Sequence, residues 1–506
     1  MTLVATSSDA SFRRGRTAGW IFITGGAQLL KMLISIASAA ILGRMLNPVD
    51  FGLMATAAPI IALATMIQNL GLNQALVQHP DLKTGHINAL FYITMLVSGV
   101  VCALLLAAAP LIALFFHEPR LADIVRVLAL VTLLSAASAT PLGLLNRNLR
   151  FSKLAFAEVA AAALGLTAAA AYAAATGSYW ALVLMQAVNI VLVLACATIW
   201  SGWAPGRATF DADVRKMLGF GAGFSTFNLL NFLSRNADNL LIARFNGASP
   251  LGLYDRAYKL MLAPLGQAIM PFARVLTPVL ARLQDQPEAY RRHYAETTGI
   301  LMAAVQPALL VTVIFSNDVI PVVLGERWIA AGPIFFWLAL TGLHQVYTST
   351  FGWLFISQGR GKDFAILGFA GAFLAISSFV VGLPGGPLGV AMAYSICDCV
   401  FRLPLNWYMT GRAGPVGYRD LAKNFAPHVA AMAACAALLF AAKQFVVTAN
   451  APWLAFFSIV SYSVNLAVLC AFRSKRVLLL EALTKGKERI LRGLQASRTT
   501  RNSSDA

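Results

Sequence analysis

The chain has 506 residues, of which 58% are hydrophobic and only 12% are charged. Soluble domains carry about one quarter charged residues, so this composition excludes a soluble enzyme and a membrane anchor that bears a large soluble domain. The formal net charge of +18 would favour nucleic acid binding in a soluble protein. In a chain this apolar the positions of the basic residues matter more than their sum, and no nucleic acid partner is predicted.

Apolar stretches long enough to cross a bilayer recur along almost the whole chain. They predict an all-α integral membrane protein with about fourteen transmembrane helices, separated by charged residues, Gly or Pro. The first span follows a basic amino terminus and is longer than the core of a signal peptide, so we expect it to be retained. The predicted limits are 20–42, 51–73, 87–115, 121–145, 154–176, 178–200, 217–243, 251–281, 294–316, 328–356, 364–382, 386–410, 424–445 and 451–472.

The loops between these spans differ in basic residues on the two sides of the membrane. Most Lys and Arg fall on the side of the amino terminus, and cytoplasmic loops are the ones enriched in them. Both termini are therefore predicted to be cytoplasmic. The opposite side receives only Arg44, Arg120, Arg244, Arg327 and Lys443.

The two halves of the chain are related by an internal repeat. An offset of 200 residues places Arg44 on Arg244 and Gly52 on Gly252. Spans 1–6 then correspond to spans 7–12 in the same orientation, as in secondary transporters whose substrate path lies between parallel repeats. Chance similarity between two apolar segments is the alternative. The predicted parts are a cytoplasmic amino terminus, a first lobe, a cytoplasmic linker, a second lobe, two extra spans and a basic tail, at 1–19, 20–200, 201–216, 217–410, 424–472 and 473–506.

Polar side chains form a stripe at helical spacing on the first span of each half. Charged groups within a membrane are costly and usually face a water-filled cavity or the bundle interior. We therefore predict a polar cleft between the halves. The two stripes consist of Gln28, Lys31, Ser35 and Ser38 on span 1, and of Asn228, Asn231, Arg235, Asp238 and Asn239 on span 7.

The charges inside the predicted spans are mostly basic, which favours an anionic ligand such as a phosphate. Lys31 is the strongest single candidate, because no acidic residue on its own helix neutralises it. The candidate substrate-binding cations are Lys31, Arg235, Arg256, Lys259 and Arg274, and the candidates for ion coupling are Asp238, Glu158 and Asp398.

Several of these residues also have a structural interpretation. The spacing of Arg235 with Asp238, and of Asp398 with Arg402, suits ion pairs within one helix. His344 lies deep in a span, and a hydrogen-bonded structural role is favoured over proton transfer. The six cysteines lack the spacing of a zinc site, so neither a metal, a disulfide nor a cofactor is predicted.

Four short motifs resemble the signatures of polysaccharide-transporter (Wzx-type) flippases, which belong to the multidrug/oligosaccharidyl-lipid/polysaccharide exporter superfamily. The resemblance runs from about residue 15 to residue 475 and is closest to the colanic-acid and succinoglycan exporters. The motifs are Arg-Met-Leu-Asn-Pro-Val-Asp-Phe-Gly-Leu (44–53), Asn-Ala-Asp-Asn-Leu-Leu-Ile-Ala-Arg-Phe (236–245), Leu-Gly-Leu-Tyr-Asp-Arg-Ala-Tyr-Lys-Leu (251–260) and Leu-Gly-Glu-Arg-Trp (324–328).

This resemblance implies two six-helix lobes that form a V-shaped cleft and operate by alternating access. It implies that an undecaprenyl-pyrophosphate-linked oligosaccharide crosses the bacterial inner membrane for exopolysaccharide or O-antigen-type synthesis. A polysaccharide polymerase or co-polymerase is then a candidate partner. The family's cationic cleft residues map onto the five cations given above, and the signature itself covers two of them, Arg256 and Lys259.

Two other functions stay open at this point. A multidrug or other small-molecule antiporter of the same superfamily would favour acidic residues for cationic drugs, whereas this chain offers mainly basic ones. A membrane polysaccharide polymerase or ligase would present a large periplasmic loop with clustered Arg, His or carboxylates, which the sequence lacks. We therefore expect a transporter and not an enzyme.

Overall fold

The computed structural model describes residues 7–69, 83–211, 214, 232, 235–446, 448–472 and 475–476. Within these ranges the chain forms helices joined by short connections, and no strand is present. Six helices come from the first half of the chain. They are α1 (Ser7–Met45), α2 (Pro48–Asn69), α3 (Thr84–Phe115), α4 (Arg120–Arg147), α5 (Phe151–Thr176) and α6 (Trp180–Ser201).

The second half begins with helix α7, which is described over residues 235–246. Short 3-10 segments at Glu326–Ala331 and Leu383–Gly385 and a π-helical turn at Asp398–Arg402 interrupt the later helices. The later helices are α8 (Ala248–Arg282), α9 (Pro287–Ile314), α10 (Ser316–Leu324), α11 (Gly332–Thr348), α12 (Phe351–Ser357), α13 (Gly361–Gly382), α14 (Gly386–Cys397), α15 (Leu403–Gly411), α16 (Tyr418–Lys443) and α17 (Ala451–Ala471).

The all-α membrane fold predicted from the sequence is confirmed, whereas the number of spans stays a prediction. In the described part of the chain, 11 helical segments are long and apolar enough to cross a membrane. Two predicted spans, 364–382 and 386–410, fall in one such segment, Gly361–Gly411. Most of predicted span 217–243 lies outside the described residues. Helix α8 covers predicted span 251–281.

Local sequence accounts for the first helix boundaries. Proline is favoured in the first turn of a helix, and α2 begins at Pro48. Asp50 closes the connection to α1, since its Oδ2 accepts a hydrogen bond of 2.8 Å from the Asn47 backbone N–H. Helix α5 ends at Gly177, whose φ of 62° is a left-handed conformation that only glycine adopts at no steric cost. These breaks make the tight connections that let successive helices pack side by side.

The chain divides into two compact units. Unit 1 consists of Met1–Ala257, Val323–Ile334 and Ala375–Ala393, and unit 2 consists of the remaining residues. In unit 1, α5 packs against α6 and α1 packs against α5. A Cβ placed on Gly165 of α5 would lie 3.0 Å from the Met185 carbonyl oxygen of α6, so these two helices approach closely. Helix α1 lies at the edge of this packing, because only 11% of the residues in its most apolar stretch, within Gly26–Met45, are buried.

Helix α9 is the central element of unit 2, because 72% of the residues in its most apolar stretch are buried. The two helices beyond the repeat, α16 and α17, pack against it, with Ala303, Ala431 and Leu469 meeting in one buried apolar cluster. Ser461 of α17 donates a hydrogen bond of 3.0 Å to the Pro307 carbonyl, which ties α17 directly to the backbone of α9. The extra spans therefore complete the core of unit 2.

Candidate functional site

Lys31 and Glu158 form an ion pair between α1 and α5 in unit 1. Lys31 Nζ lies 2.8 Å from Glu158 Oε2, and the two side chains remain 35% and 33% exposed. Glu158 lies 127 positions from Lys31 and on a different helix. The sequence prediction, which compared Lys31 only with acidic residues on its own helix, therefore missed this partner. The structure thus joins a predicted substrate-binding cation to a predicted ion-coupling carboxylate, in a place where both stay partly accessible.

The other three members of the first stripe differ in how far they are buried. Gln28 and Ser35 are exposed. Ser38 is half-buried, and its Oγ lies 3.5 Å from Met185 Sδ on α6. Lys31 and Ser38, seven residues apart, therefore face the neighbouring helices of unit 1, whereas Gln28 and Ser35 do not.

In the second stripe, Asp238 is a structural anchor within unit 1. Its Oδ2 accepts a hydrogen bond of 3.0 Å from Tyr254 Oη of α8, and its Oδ1 accepts one of 2.8 Å from the Asn239 backbone. The intrahelical pair with Arg235 that the spacing suggested is thus replaced by these contacts, and Arg235 is exposed. Asn239 is half-buried, and its Oδ1 has no hydrogen-bond partner in the described residues. Two further stripe residues, Asn228 and Asn231, lie outside the described residues.

The starts of α2 and α8 cross at two glycines that the repeat relates to each other. A Cβ on Gly52 would lie 1.7 Å from the Ala248 carbonyl oxygen, and a Cβ on Gly252 would lie 1.9 Å from the Pro48 carbonyl oxygen. Positions 48 and 248, like 52 and 252, differ by 200, so the contact is reciprocal under the offset found in the sequence. Chance similarity would not produce such a symmetric contact. The two copies of the signature therefore meet backbone to backbone, which only glycine permits.

Arg256 lies beside this crossing, where it contacts an aromatic ring and an acidic side chain. Its guanidinium stands 4.2 Å from the centroid of the Phe51 ring, and its Nη2 lies 3.4 Å from Asp255 Oδ2. Phe51 in turn meets Trp328 edge to face, and the Trp328 indole donates a hydrogen bond of 2.7 Å to the Gly43 carbonyl. Arg256 is therefore part of a packed arrangement around the crossing, and its predicted role in substrate binding stays a prediction.

The remaining two predicted cations belong to unit 2. Lys259 and Arg274 both lie on α8 and are exposed. The five predicted cations are thus divided between the units, with Lys31, Arg235 and Arg256 in unit 1. Lys31 and Arg256 each have an acidic partner at a measured distance, and the common cationic cleft stays a prediction.

Asp398 forms the most enclosed charged cluster of the predicted site residues. Its Oδ1 accepts a hydrogen bond of 2.5 Å from Arg402 Nη1, which confirms the pairing suggested by their spacing. Its Oδ2 lies 3.0 Å from His344 Nε2 and 3.3 Å from Gln345 Nε2, both on α11. Arg402 also donates to Tyr394 Oη at 3.1 Å. The sequence indicated a hydrogen-bonded His344 from its position deep in a predicted span. The fold shows that its partner is Asp398.

Lys475 lies at the start of the predicted basic tail, and its side chain is buried. Its Nζ donates to Asn424 Oδ1 of α16, and the Asn424 amide donates a hydrogen bond of 2.7 Å to Thr298 Oγ1 of α9. Burial lowers the pKa of Lys475 to about 8. The start of the predicted tail is therefore tied into unit 2, and residues 477–506 lie outside the described residues.

These features define a multi-pass α-helical membrane protein whose spans carry polar and charged groups, the class to which secondary transporters belong. The chain belongs to the polysaccharide biosynthesis protein family, which it matches over residues 41–333.

Curated relatives cover most of the chain. It is 25% identical over 374 residues to the lipopolysaccharide biosynthesis protein WzxC of Escherichia coli (strain K12), covering 72% of this chain and 75% of that protein. It is 27% identical to the teichuronic acid biosynthesis protein TuaB of Bacillus subtilis (strain 168), covering 74% and 79%. It is 23% identical to the succinoglycan biosynthesis transport protein ExoT of Rhizobium meliloti (strain 1021), covering 85% and 87%.

Solved structures share the fold at low sequence identity. The lipid II flippase MurJ in an inward closed conformation matches with a TM-score of 0.71 and 12% identity, covering 90% of this chain and all of that one. An inward-facing multidrug resistance MATE family transporter of the MOP superfamily matches with a TM-score of 0.58 and 14% identity, covering 78% and 96%. These two matches show that the chain shares its fold with known membrane transport proteins.

Proposed function

We propose that the protein is a flippase which moves an undecaprenyl-pyrophosphate-linked oligosaccharide across the bacterial inner membrane, for exopolysaccharide or O-antigen-type synthesis. The family supports this proposal, and so do relatives named for lipopolysaccharide and succinoglycan biosynthesis. The fold shared with a lipid II flippase supports it as well. Both termini are taken to face the cytoplasm, and the protein performs no bond chemistry of its own.

The observation that carries the proposal is the partly exposed Lys31–Glu158 pair inside unit 1. An unpaired cation within a membrane span is costly in an empty transporter, and a single carboxylate neutralises Lys31 there. A pyrophosphate brings more negative charge than one carboxylate, and Lys is a common phosphate-binding residue. The headgroup therefore competes with Glu158 for Lys31, and both side chains are accessible enough for the exchange.

The charge balance of the Lys31–Glu158 pair also disfavours a site for cationic drugs. A cation would be attracted by Glu158, but Lys31 already neutralises that carboxylate at 2.8 Å. An anionic headgroup meets the reverse situation, because the exposed part of the ammonium still offers hydrogen-bond donors. The lipid tail needs no protein site, since it can remain in the bilayer while the headgroup moves.

The test uses purified protein in proteoliposomes that contain a fluorescent prenyl-pyrophosphate glycan, with movement between leaflets scored by access of a quencher. We expect movement by the unaltered protein and loss of it in Lys31→Ala and in Arg235→Ala. Arg126→Gln is the matched control, because it breaks an exposed 2.8 Å pair with Asp123 in the same unit. Normal movement in both cleft variants would remove these two residues from the pathway.

The same vesicles separate the alternative functions. Accumulation of a cationic dye without glycan movement would support a small-molecule antiporter and contradict the proposal. Lengthening of the labelled glycan would instead indicate a polymerase or ligase. A polymerase or co-polymerase partner is expected to act on the product after transfer, so the isolated protein should move the glycan and leave its length unchanged.

A further inference from the structure

A second group of charged residues lies in unit 2. His344 of α11 and Asp398 of the π-helical turn are both buried, with 9% and 3% of their surface exposed. His344 Nε2 lies 3.0 Å from Asp398 Oδ2, and Arg402 Nη1 contacts the other carboxylate oxygen. A carboxylate, a guanidinium and an imidazole therefore share one enclosed site within the predicted spans.

The charges of this cluster balance in only one protonation state of the histidine. Arg402 is always charged, and it compensates Asp398 by itself. With a neutral imidazole the cluster therefore carries no net charge, and with an imidazolium it carries one positive charge. Nε2 of the ring faces Asp398 Oδ2 at 3.0 Å, and Nδ1 has no hydrogen bond of good geometry among the described residues. Such a ring is ready to accept a proton, which Asp398 would then stabilise.

Among the described residues, the neighbouring elements bring no second carboxylate to the histidine. Cys399 is the other titratable group acting on His344, and Tyr394 and Cys397 act on Arg402. From α9, the Gln306 amide donates a hydrogen bond of 3.0 Å to the Leu343 carbonyl. The contact from α8 is apolar, with Met261 against Gly342, and α13 presents Gly371 to Arg402. Asp398 is thus the acidic group that decides the proton affinity of His344.

The backbone at Asp398 is suited to a change of geometry. The turn Asp398–Arg402 is π-helical, and the Leu403 N–H donates to the Asp398 carbonyl five residues earlier. Single π-helical turns inside α-helices are frequently found at functional sites. A shift of this turn to α-helical geometry would move Asp398 relative to His344 and so alter the stabilisation of the proton. Proton binding and helix geometry are thereby linked.

We propose that the cluster formed by His344, Asp398 and Arg402 is the proton-binding site that couples glycan movement to the transmembrane pH gradient. One proton from the solvent binds an imidazole nitrogen of His344 on one side of the membrane and is released on the other, while Asp398 stays ionised. An O–H bond of hydronium breaks as this N–H bond forms, and release to water reverses the exchange. Because the proton binds one conformation more strongly than the other, it shifts the equilibrium between them. The inference rests on the proposed flippase function.

The experiment compares glycan movement in proteoliposomes with and without an imposed pH gradient. The variant is His344→Gln, which keeps hydrogen-bonding capacity but does not titrate. The control is His428→Gln, since His428 is also a buried histidine of unit 2 but has Lys475 as its charged neighbour. We expect the gradient to accelerate the unaltered protein and the control, and to leave His344→Gln at its rate without a gradient. Acceleration of His344→Gln equal to that of the control would overturn the proposal, and so would a response to sodium alone.

A second measurement does not depend on transport. In protein carrying 15N-labelled histidine and held in nanodiscs, we expect one buried ring to titrate in the unaltered protein, and its signal to be missing in His344→Gln. The Asp398→Asn variant should shift this titration to lower pH, because the imidazolium loses its counter-charge. A His344 ring that keeps one protonation state throughout would refute the proton site even if the glycan moves. Absence of glycan movement in every sample would instead refute the flippase function and leave this titration to decide the site.

Discussion

The two units place paired charges in different surroundings. In unit 1, the side chains of Lys31 and Glu158 remain 35% and 33% exposed, whereas in unit 2 the side chain of Asp398 is 5% exposed. An exposed pair contributes about 0–1 kcal/mol to stability, whereas removal of one member of a buried pair costs about 3–5 kcal/mol. The pair in unit 1 can therefore open for a ligand at little cost. The cluster in unit 2 holds its charges in place and can respond to a proton.

The largest expected effect is on the stability of unit 2. In Asp398→Ala, Arg402 loses its buried counter-charge, and we expect a loss of about 3–5 kcal/mol and a sharp drop in folded yield. The matched substitution in unit 1, Glu158→Ala, should change the melting temperature in detergent only slightly. Similar melting temperatures for the two variants would contradict the contrast between an exposed and a buried pair.

The crossing of α2 and α8 is the part of unit 1 that we expect to tolerate change least. A methyl group at Gly52 would overlap the Ala248 carbonyl oxygen, so Gly52→Ala and Gly252→Ala should each cost about 1–3 kcal/mol by overpacking. Gly266→Ala on α8 is the control, because a Cβ there meets nothing within 4 Å. Thermal unfolding in detergent measures the difference. Equal stability of all three variants would show that the two helices are free to separate at this point.

A smaller, pH-dependent effect is expected at the buried Lys475 of unit 2. Burial lowers the pKa of Lys475 from 10.5 to about 8, so the unfolded chain binds more protons between these values. Stability should therefore rise as pH increases through this window, by at most about 3 kcal/mol. The Lys475→Met variant should lose this rise, and the exposed neighbour control, Lys423→Met, should keep it. Melting temperatures at pH 8 and pH 10 provide the comparison, and identical pH profiles for both variants would contradict it.

The sequence predicted the fold better than the contacts of the site. Span length, basic loops and the offset of 200 residues indicated a repeated all-α membrane protein, because hydrophobicity and helical periodicity are local properties of a chain. The pairing of Asp398 with Arg402 could also be predicted from the sequence, because the two residues are four positions apart on one helix. The partner of Lys31 was not, because Glu158 comes from a different helix and no local pattern links them. The burial of Lys475 was missed for the same reason.

The central claim is that Lys31 binds the anionic headgroup and that Glu158 occupies Lys31 when the substrate is absent. Binding of a prenyl-pyrophosphate glycan to purified protein in nanodiscs tests it directly. We expect Lys31→Gln to weaken binding about tenfold or more, which corresponds to a loss of at least about 1.4 kcal/mol. Glu158→Gln should bind at least as tightly as the unaltered protein, because it removes the competitor. Equal weakening in the two variants would show that the pair only joins two helices, and unchanged binding in Lys31→Gln would exclude Lys31 from the headgroup site.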